Sequence, residues 1–155
     1  MIKLLLGALV VVSFSIVGIK MKDAKIFVRE FFEKLKIFND ELAVDISLYS
    51  RSVEDCLKNF SEKTDGVLNG YENIVKGEKF IFKDKRFNKK QRDFIEFYVN
   101  SLGRSNAEYE SGRLKKLGEK INLILAEVTS KANAYSALSV KLSVCLGLVI
   151  FIMIF

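Results

Sequence analysis

Histidine and proline are both absent from the 155-residue chain, and cysteine occurs only twice. Without histidine, the chain lacks the commonest general base, the commonest metal ligand and every nucleophile arrangement that depends on histidine. The cysteines cannot form a ligand cluster or a disulfide within the middle of the chain, because Cys56 lies there and Cys145 lies in the last apolar run. The sequence therefore predicts a non-enzymatic protein without a metal or cofactor. The low cysteine content is compatible with a reducing compartment.

Phosphate-binding and acid-base patterns are also missing. Residues 66–70 read Gly-Val-Leu-Asn-Gly, without the Lys-Ser/Thr ending of a phosphate-binding loop. The carboxylate pairs Glu54 with Asp55, and Glu108 with Glu110, occur among other charged residues. We expect these pairs on solvated helix faces, and we predict no small-molecule substrate.

Apolar residues are concentrated at the two ends of the chain. Leu4–Ile19 and Leu142–Phe155 contain no charged side chain. Each run is shorter than the roughly 20 residues that cross a bilayer, but flanking residues extend it and Lys3 can snorkel outward. We therefore predict transmembrane helices over residues 1–19 and 132–155, with residues 20–131 as a helical body between them.

The basic residues predict the side of the membrane on which the body lies. Lys20, Lys22, Lys25 and Arg29 follow the first apolar run, and no basic residue follows the second. Basic residues beside a span mark the cytoplasmic side, so the body is expected in the cytoplasm. Two alternatives stay open. The N-terminus could be a cleaved secretory signal with its cleavage site at residues 13–15, and the C-terminal run could be a buried core helix.

In the body, apolar residues recur at intervals of three or four, which is typical of helices, and no alternating stretch predicts a sheet. The predicted fold class is all-α, a helical bundle whose first and last helices continue into the membrane. Five helical pieces are expected, with these inward residues: Phe27, Phe31, Leu35, Phe38, Leu42, Ile46 and Tyr49; Val53, Leu57 and Phe60; Leu68, Tyr71 and Ile74; Phe94, Tyr98 and Leu102; Leu114, Leu117, Ile121, Ile124 and Val128. Ser52 and Asn88 are the predicted N-caps of the second and fourth pieces.

Residues 102–105, Leu-Gly-Arg-Ser, connect the last two helices. Gly103 can adopt the left-handed conformation that ends a helix. Ser105 and Glu108 have the spacing of a capping box for the next helix. We therefore predict a structural corner at Gly103, Ser105 and Glu108. Arg104 is then available to neutralise the preceding helix end, to bridge to a carboxylate or to contact a partner.

Positive charge is concentrated between Lys76 and Arg92, where eight basic and two acidic residues give a net charge of +6. Phenylalanines at 80, 82 and 87 are interleaved with the lysines. This pattern is compatible with an anionic membrane surface, an acidic protein or, least favoured, nucleic acid, and also with a solvated connector whose phenylalanines pack into the core. The predicted partner-binding residues are Arg104, Lys79, Lys83, Lys85, Arg86, Lys89 and Lys90.

Several motifs occur together in one known family. The chain resembles the stage III sporulation protein AB family of endospore-forming bacteria in its length and its terminal apolar runs. Residues 102–105 are similar to that family's Leu-Gly-Arg-Ser-Asp signature at the same junction. Residues 45–46 and 52–57 are similar to its Glu-Ile and Pro-Leu-x-Glu-Ala-Leu elements, and residues 146–148 to its Gly-Leu-rich membrane helix.

The resemblance implies a membrane subunit of the secretion-like channel that the mother cell assembles against the forespore. Its body would be similar to the cytoplasmic helical domain of type II secretion platform proteins. It would dock a secretion-type ATPase similar to stage III sporulation protein AA and contact other membrane subunits. The expected location is the mother-cell membrane around the forespore, with the body in the cytoplasm.

Three residues depart from the family pattern. Ser52, Asn106 and Glu110 stand where the family has proline, aspartate and glutamine. Asn106 lacks the negative charge that the family has at this position. Two other classes of protein stay open: a small membrane-perturbing protein of the phage lysis type, and a secreted helical binding protein produced by signal cleavage.

Overall fold

The computed structural model describes residues 2–48, 53–64, 66–68, 70–72, 78–103 and 107–154. Regular structure within these ranges is helical: α1 is Ile2–Leu48, α2 is Val53–Lys63, α3 is Lys89–Ser101 and α4 is Ala107–Ile154. The all-α prediction is therefore confirmed. As expected, α1 joins the N-terminal apolar run to the first body helix, and α4 joins the last body helix to the C-terminal run.

The chain divides into two compact units. The terminal unit consists of Met1–Arg29 and Ala126–Phe155, and the central unit consists of Glu30–Leu125. In the terminal unit, an added Cβ on Gly147 would lie 3.0 Å from the Cα atom of Val11. Further along, Lys25 Nζ lies 5.4 Å from the centre of the Tyr135 ring, within cation–π range. Because position 11 meets 147 and position 25 meets 135, α1 and α4 are antiparallel here.

Both helices of the terminal unit expose large apolar side chains, which include Leu9, Val12, Ile16, Val17, Ile19, Leu138, Leu142, Leu146, Val149, Ile152 and Met153. Large exposed apolar surfaces mark places where a protein meets a membrane or a partner. None of the described helices contains a stretch that is long and apolar enough to cross a membrane. The spans over 1–19 and 132–155 stay predictions.

We expect Gly147→Ile to separate α1 from α4 in the terminal unit, because a β-branched side chain cannot fit 3.0 Å from a backbone atom. Spin labels at Leu9→Cys and Leu148→Cys, in an otherwise cysteine-free chain, should report a longer and broader distance by double electron–electron resonance. Gly112→Ile is the matched control, since a Cβ at Gly112 would meet no atom within 4 Å. An unchanged distance distribution in the Gly147 variant would contradict this packing.

The central unit has an aromatic core. The Phe87 ring centre lies 5.0 Å from that of Phe31 on α1 and 5.0 Å from that of Phe82, both edge to face. Phe38 on α1 stacks on Phe60 of α2 with centres 4.5 Å apart. Such pairs add to the stabilisation that burial provides. The cluster therefore fixes α1 and α2 to the segment that precedes α3.

Most of the predicted inward residues are buried, namely Phe31, Leu35, Phe38, Leu42, Leu57, Phe60, Leu68, Tyr98, Leu102, Leu114, Leu117, Ile121 and Val128. Partly buried are Phe27, Ile46, Val53, Tyr71, Phe94 and Ile124. Tyr49 and Ile74 lie outside the described residues. On α3 the prediction was correct for Tyr98 and incomplete elsewhere, because it left out Ile95 and Val99, which are fully buried, while Phe94 is only partly buried.

The predicted cap of α3 is confirmed. Asn88 Oδ1 accepts from the Gln91 backbone N–H at 2.9 Å, and Gln91 Oε1 accepts from the Asn88 N–H at 2.9 Å, which is a reciprocal capping box. Ser52, the predicted cap of α2, lies outside the described residues. The predicted third piece is described only at 66–68 and 70–72, where the chain mainly forms turns.

One buried amide connects three helices of the central unit. Asn39 on α1 donates from Nδ2 to the Leu114 carbonyl of α4 at 3.2 Å and accepts from the Tyr98 hydroxyl of α3 at 3.2 Å. Gly118 makes room for it, because an added Cβ there would lie 3.0 Å from Asn39 Nδ2. A buried amide costs free energy unless it is hydrogen-bonded, so these contacts favour one register of the helices.

Stability is expected to fall at alkaline pH through Tyr98, since burial raises the pKa of its hydroxyl. The folded-state pKa lies above the unfolded value of about 10, so the neutral phenol stabilises the fold below that pH. Above a pH of about 10, the stabilisation that the neutral phenol provides should fall by about 1.4 kcal/mol per pH unit. In urea unfolding between pH 8 and 11, Tyr98→Phe should decline less steeply than wild type, whereas the exposed Tyr109→Phe should follow wild type. If the free energy of unfolding falls equally with pH in Tyr98→Phe and in wild type, the buried Tyr98 hydroxyl is not the cause of the alkaline loss of stability.

Candidate interaction surface

The predicted partner-binding lysines lie on and around residues 78–84, a segment without regular secondary structure that precedes α3. Phe80 and Phe82 are buried, whereas Lys79, Ile81 and Lys83 are exposed. This alternation indicates an extended backbone, in which successive side chains point to opposite sides. The phenylalanines therefore pack into the core, as the connector interpretation predicted, and the lysines face outward.

Two side chains of α3 hold this segment. Asn100 Oδ1 accepts from the Phe80 N–H at 2.8 Å, and Asn100 Nδ2 donates to the Phe80 carbonyl at 2.8 Å. One turn earlier, Glu96 Oε1 accepts from the Phe82 N–H at 2.9 Å. Four residues of helix rise about 6 Å, and two residues of extended chain rise about 6.6 Å, so the spacings match. A helix face thus supplies the hydrogen bonds that a neighbouring strand would otherwise provide.

A tight turn follows the extended segment. Asp84 accepts from the Arg86 backbone N–H at 2.8 Å and from Arg86 Nη2 at 2.5 Å. The Arg86 side-chain hydrogen bond, together with its backbone N–H, lowers the pKa of Asp84. Phe87 is buried directly after the turn. Arg86, a predicted binding residue, is therefore engaged within the turn. The exposed lysines that remain form the basic surface: Lys79, Lys83, Lys85, Lys89 and Lys90.

Gly103 has the left-handed backbone that the predicted corner requires, with a φ of +72°. Its N–H donates to Glu110 Oε1 at 2.8 Å, and Glu110 also forms an ion pair with Arg113. The prediction that Glu110 lies on a solvated face is wrong, because it is only 2% exposed. Positions 110, 114, 117 and 121 share one helix face, and this spacing could have indicated the burial.

Other residues of the predicted corner lie outside the described part of the chain. Arg104 and Ser105 belong to this group, and the side chain of Glu108 does as well. The capping box and the role of Arg104 stay predictions. Gly103 itself packs closely on α2, since an added Cβ would lie 3.3 Å from Cγ2 of Val53.

Two cavities of about 410 Å³ each adjoin the basic surface. Ile81 lines one together with Lys83 and Asp84, and Phe97 lines the other together with Asp93 and Glu96. Lys79 lines both. Ile81 is 57% exposed and Phe97 is 56% exposed, so two large apolar groups face solvent, each in a cavity that Lys79 also lines.

A third cavity, of about 440 Å³, lies between α1 and α2. Ile37, Phe38 and Phe60 contribute apolar walls. Lys34 lies at its rim and donates to the Lys63 carbonyl at 2.9 Å, which satisfies the C-terminal end of α2. Among the described residues, no group of three or more cysteines or carboxylates is placed to hold a metal ion.

No protein-family model matches the chain, and neither does a curated protein or a solved structure. The resemblance to the stage III sporulation protein AB family therefore depends on the motifs alone and stays a prediction.

Proposed function

We propose that the chain is a non-enzymatic platform subunit of a secretion-like apparatus that holds a helical body on a membrane and docks a cytoplasmic ATPase. The observation that carries the proposal is the basic surface, in which two exposed lysines, Lys79 and Lys83, lie on a hydrogen-bonded frame. Asn100 and Glu96 fix the backbone of this frame, and three buried phenylalanines anchor it.

A backbone that is held in place favours a role for these lysines as a binding surface over their role as a solvated connector. A surface ordered before binding loses less conformational entropy when a partner arrives. Clustered lysines also attract an acidic partner over a distance and raise the association rate. Both effects suit a docking surface for a partner that must bind and release repeatedly.

Two observations support attachment to a membrane. The terminal unit exposes apolar side chains on both of its helices. Lys20, Lys22 and Lys25 follow the first apolar run, as expected on the cytoplasmic side. By its resemblance, the chain would lie in the mother-cell membrane around the forespore, as part of a sporulation-specific channel.

In such a platform the chemistry belongs to the partner. ATP hydrolysis would change the state of the ATPase, and the body would bind the two states with different affinity. Only this difference in binding free energy can transmit work from the ATPase to the membrane subunit.

Binding to the ATPase tests the proposal directly. The full chain in lipid nanodiscs should bind a purified secretion-type ATPase similar to stage III sporulation protein AA. Lys79→Glu with Lys83→Glu should weaken binding about tenfold or more and reduce its salt dependence. Lys115→Glu with Lys116→Glu, two exposed lysines on α4, is the matched control. Failure to bind at several salt concentrations, or equal weakening by both pairs, would overturn the proposal.

The cellular role has separate tests. Deletion should abolish heat-resistant spores, and the wild-type gene supplied elsewhere should restore them. A lysis-type protein would instead be toxic to a non-sporulating host, and a secreted binder would have a mature N-terminus near Ile16. A deletion strain with normal spore counts would contradict the sporulation role.

A further inference from the structure

We propose that the basic surface takes an acidic, amphipathic polypeptide segment of its partner. The apolar side chains of this segment would cover Ile81 and Phe97, and its carboxylates would pair with Lys79 and Lys83. The inference rests on the proposed function and names the chemistry of the element that docks.

Each of the two exposed apolar residues lines a cavity. A single exposed apolar residue on a protein surface is ordinary. Here Ile81 and Phe97 each form part of a cavity of about 410 Å³, and the two cavities share Lys79. Apolar anchors that fill such pockets supply most of the affinity in protein interfaces. Two adjoining pockets therefore suit two anchor side chains from one segment.

The distribution of charge favours a polypeptide over a lipid surface. Lys79, Lys83 and Asp84 line the Ile81 cavity, whereas Lys79, Asp93 and Glu96 line the Phe97 cavity. An anionic bilayer carries charge of one sign, so a membrane that covered Phe97 would bring its headgroups towards these carboxylates. A polypeptide can place acidic residues opposite the lysines and a basic residue opposite Asp93.

Two of the side chains that line the Phe97 cavity are held in place by hydrogen bonds. Glu96 and Asn100 both line it, and the same two side chains hold the backbone of Phe82 and Phe80. Their positions are therefore set before a partner arrives, which lowers the entropic cost of docking. A segment bound here would lie directly against the groups that keep the lysines facing outward.

Photo-cross-linking in native cells tests the inference without assuming which protein binds. Benzoylphenylalanine at Ile81 or Phe97 of the full chain should cross-link to one segment of a partner, and mass spectrometry should show that the segment is acidic and amphipathic. The control position is Leu123 on α4, which is 74% exposed and should not cross-link to that segment. Lipid adducts alone, no cross-link, or a segment without acidic residues would overturn the inference.

Binding of the purified ATPase separates this inference from the proposed function. Ile81→Asp and Phe97→Asp should each weaken binding about tenfold or more, while Leu123→Asp stays within about twofold of wild type. All three sites are exposed, and melting curves check that the variants fold. If the ATPase binds and these variants change nothing, the docking chemistry is wrong although the platform role stands. If the ATPase does not bind but the cross-links identify an acidic segment of another protein, the ATPase proposal fails and the docking chemistry stands.

Discussion

Replacement of Glu110 by alanine should lower the free energy of unfolding by about 3–5 kcal/mol. The change removes the acceptor of the Gly103 N–H and the ionic partner of Arg113. The guanidinium would then be left without its counter-charge, and breaking a buried pair from one side is costly. Because the Arg113 side chain is still 20% exposed, water can replace part of the lost contact, so the lower end of the range is expected.

The matched control is Glu119→Ala, an exposed glutamate on the same helix, which should change stability by no more than about 0.5 kcal/mol. Denaturation followed by circular dichroism provides both values. Glu110→Gln should give an intermediate loss, because the amide oxygen can still accept from the Gly103 N–H while the ion pair is lost. Equal stabilities for the Glu110→Ala and Glu119→Ala variants would show that the corner does not depend on the buried carboxylate.

The helices could be predicted from the sequence because each buries one stripe of apolar residues. The periodicity placed Leu114, Leu117 and Ile121 on the core face of α4 correctly. The glycine of the corner could also be predicted, since a residue without a Cβ is favoured where φ is positive. Both inferences depend on local stereochemistry, which a single sequence contains.

The long-range hydrogen bonds could not be predicted in the same way. Asn100 holds Phe80 across 20 residues of chain, and nothing in the spacing identifies these partners. Residues 80–83 do show the period of a strand, with alternate side chains buried. The sequence offers no partner strand, and it does not reveal that α3 takes that place.

The sequence predicted the basic surface as a group of charged residues alone. The structure gives this surface a different set of residues. Arg86 is engaged by Asp84, while Ile81 and Phe97 join the surface as exposed apolar groups. Phe97 was missed because α3 carries several large apolar residues, and the predicted inward face did not include the buried Ile95 and Val99. A helix with buried Ile95 and Tyr98 must turn Phe97 outward, since 100° separates consecutive residues.

The same substitution by alanine should have very different effects on stability at two phenylalanines. Phe87→Ala should lower the free energy of unfolding by about 3–5 kcal/mol, because Phe87 is 1% exposed and its ring meets those of Phe31 and Phe82. Phe97→Ala removes the same atoms from a ring that is 56% exposed, and should change stability by less than about 1 kcal/mol. Urea unfolding of the two variants provides the comparison.

Partner binding should show the reverse order. At a temperature where both variants are folded, Phe97→Ala should weaken the docked complex because it removes an anchor, whereas folded Phe87→Ala retains the outward face of the basic surface. A Phe97→Ala variant that binds like wild type would contradict docking at this cavity. A Phe87→Ala variant that is as stable as wild type would contradict the aromatic anchor. If Phe87→Ala binds as poorly as Phe97→Ala while still folded, the packing of Phe87 must itself position the lysines, and the core and the docking surface would then be one cooperative element.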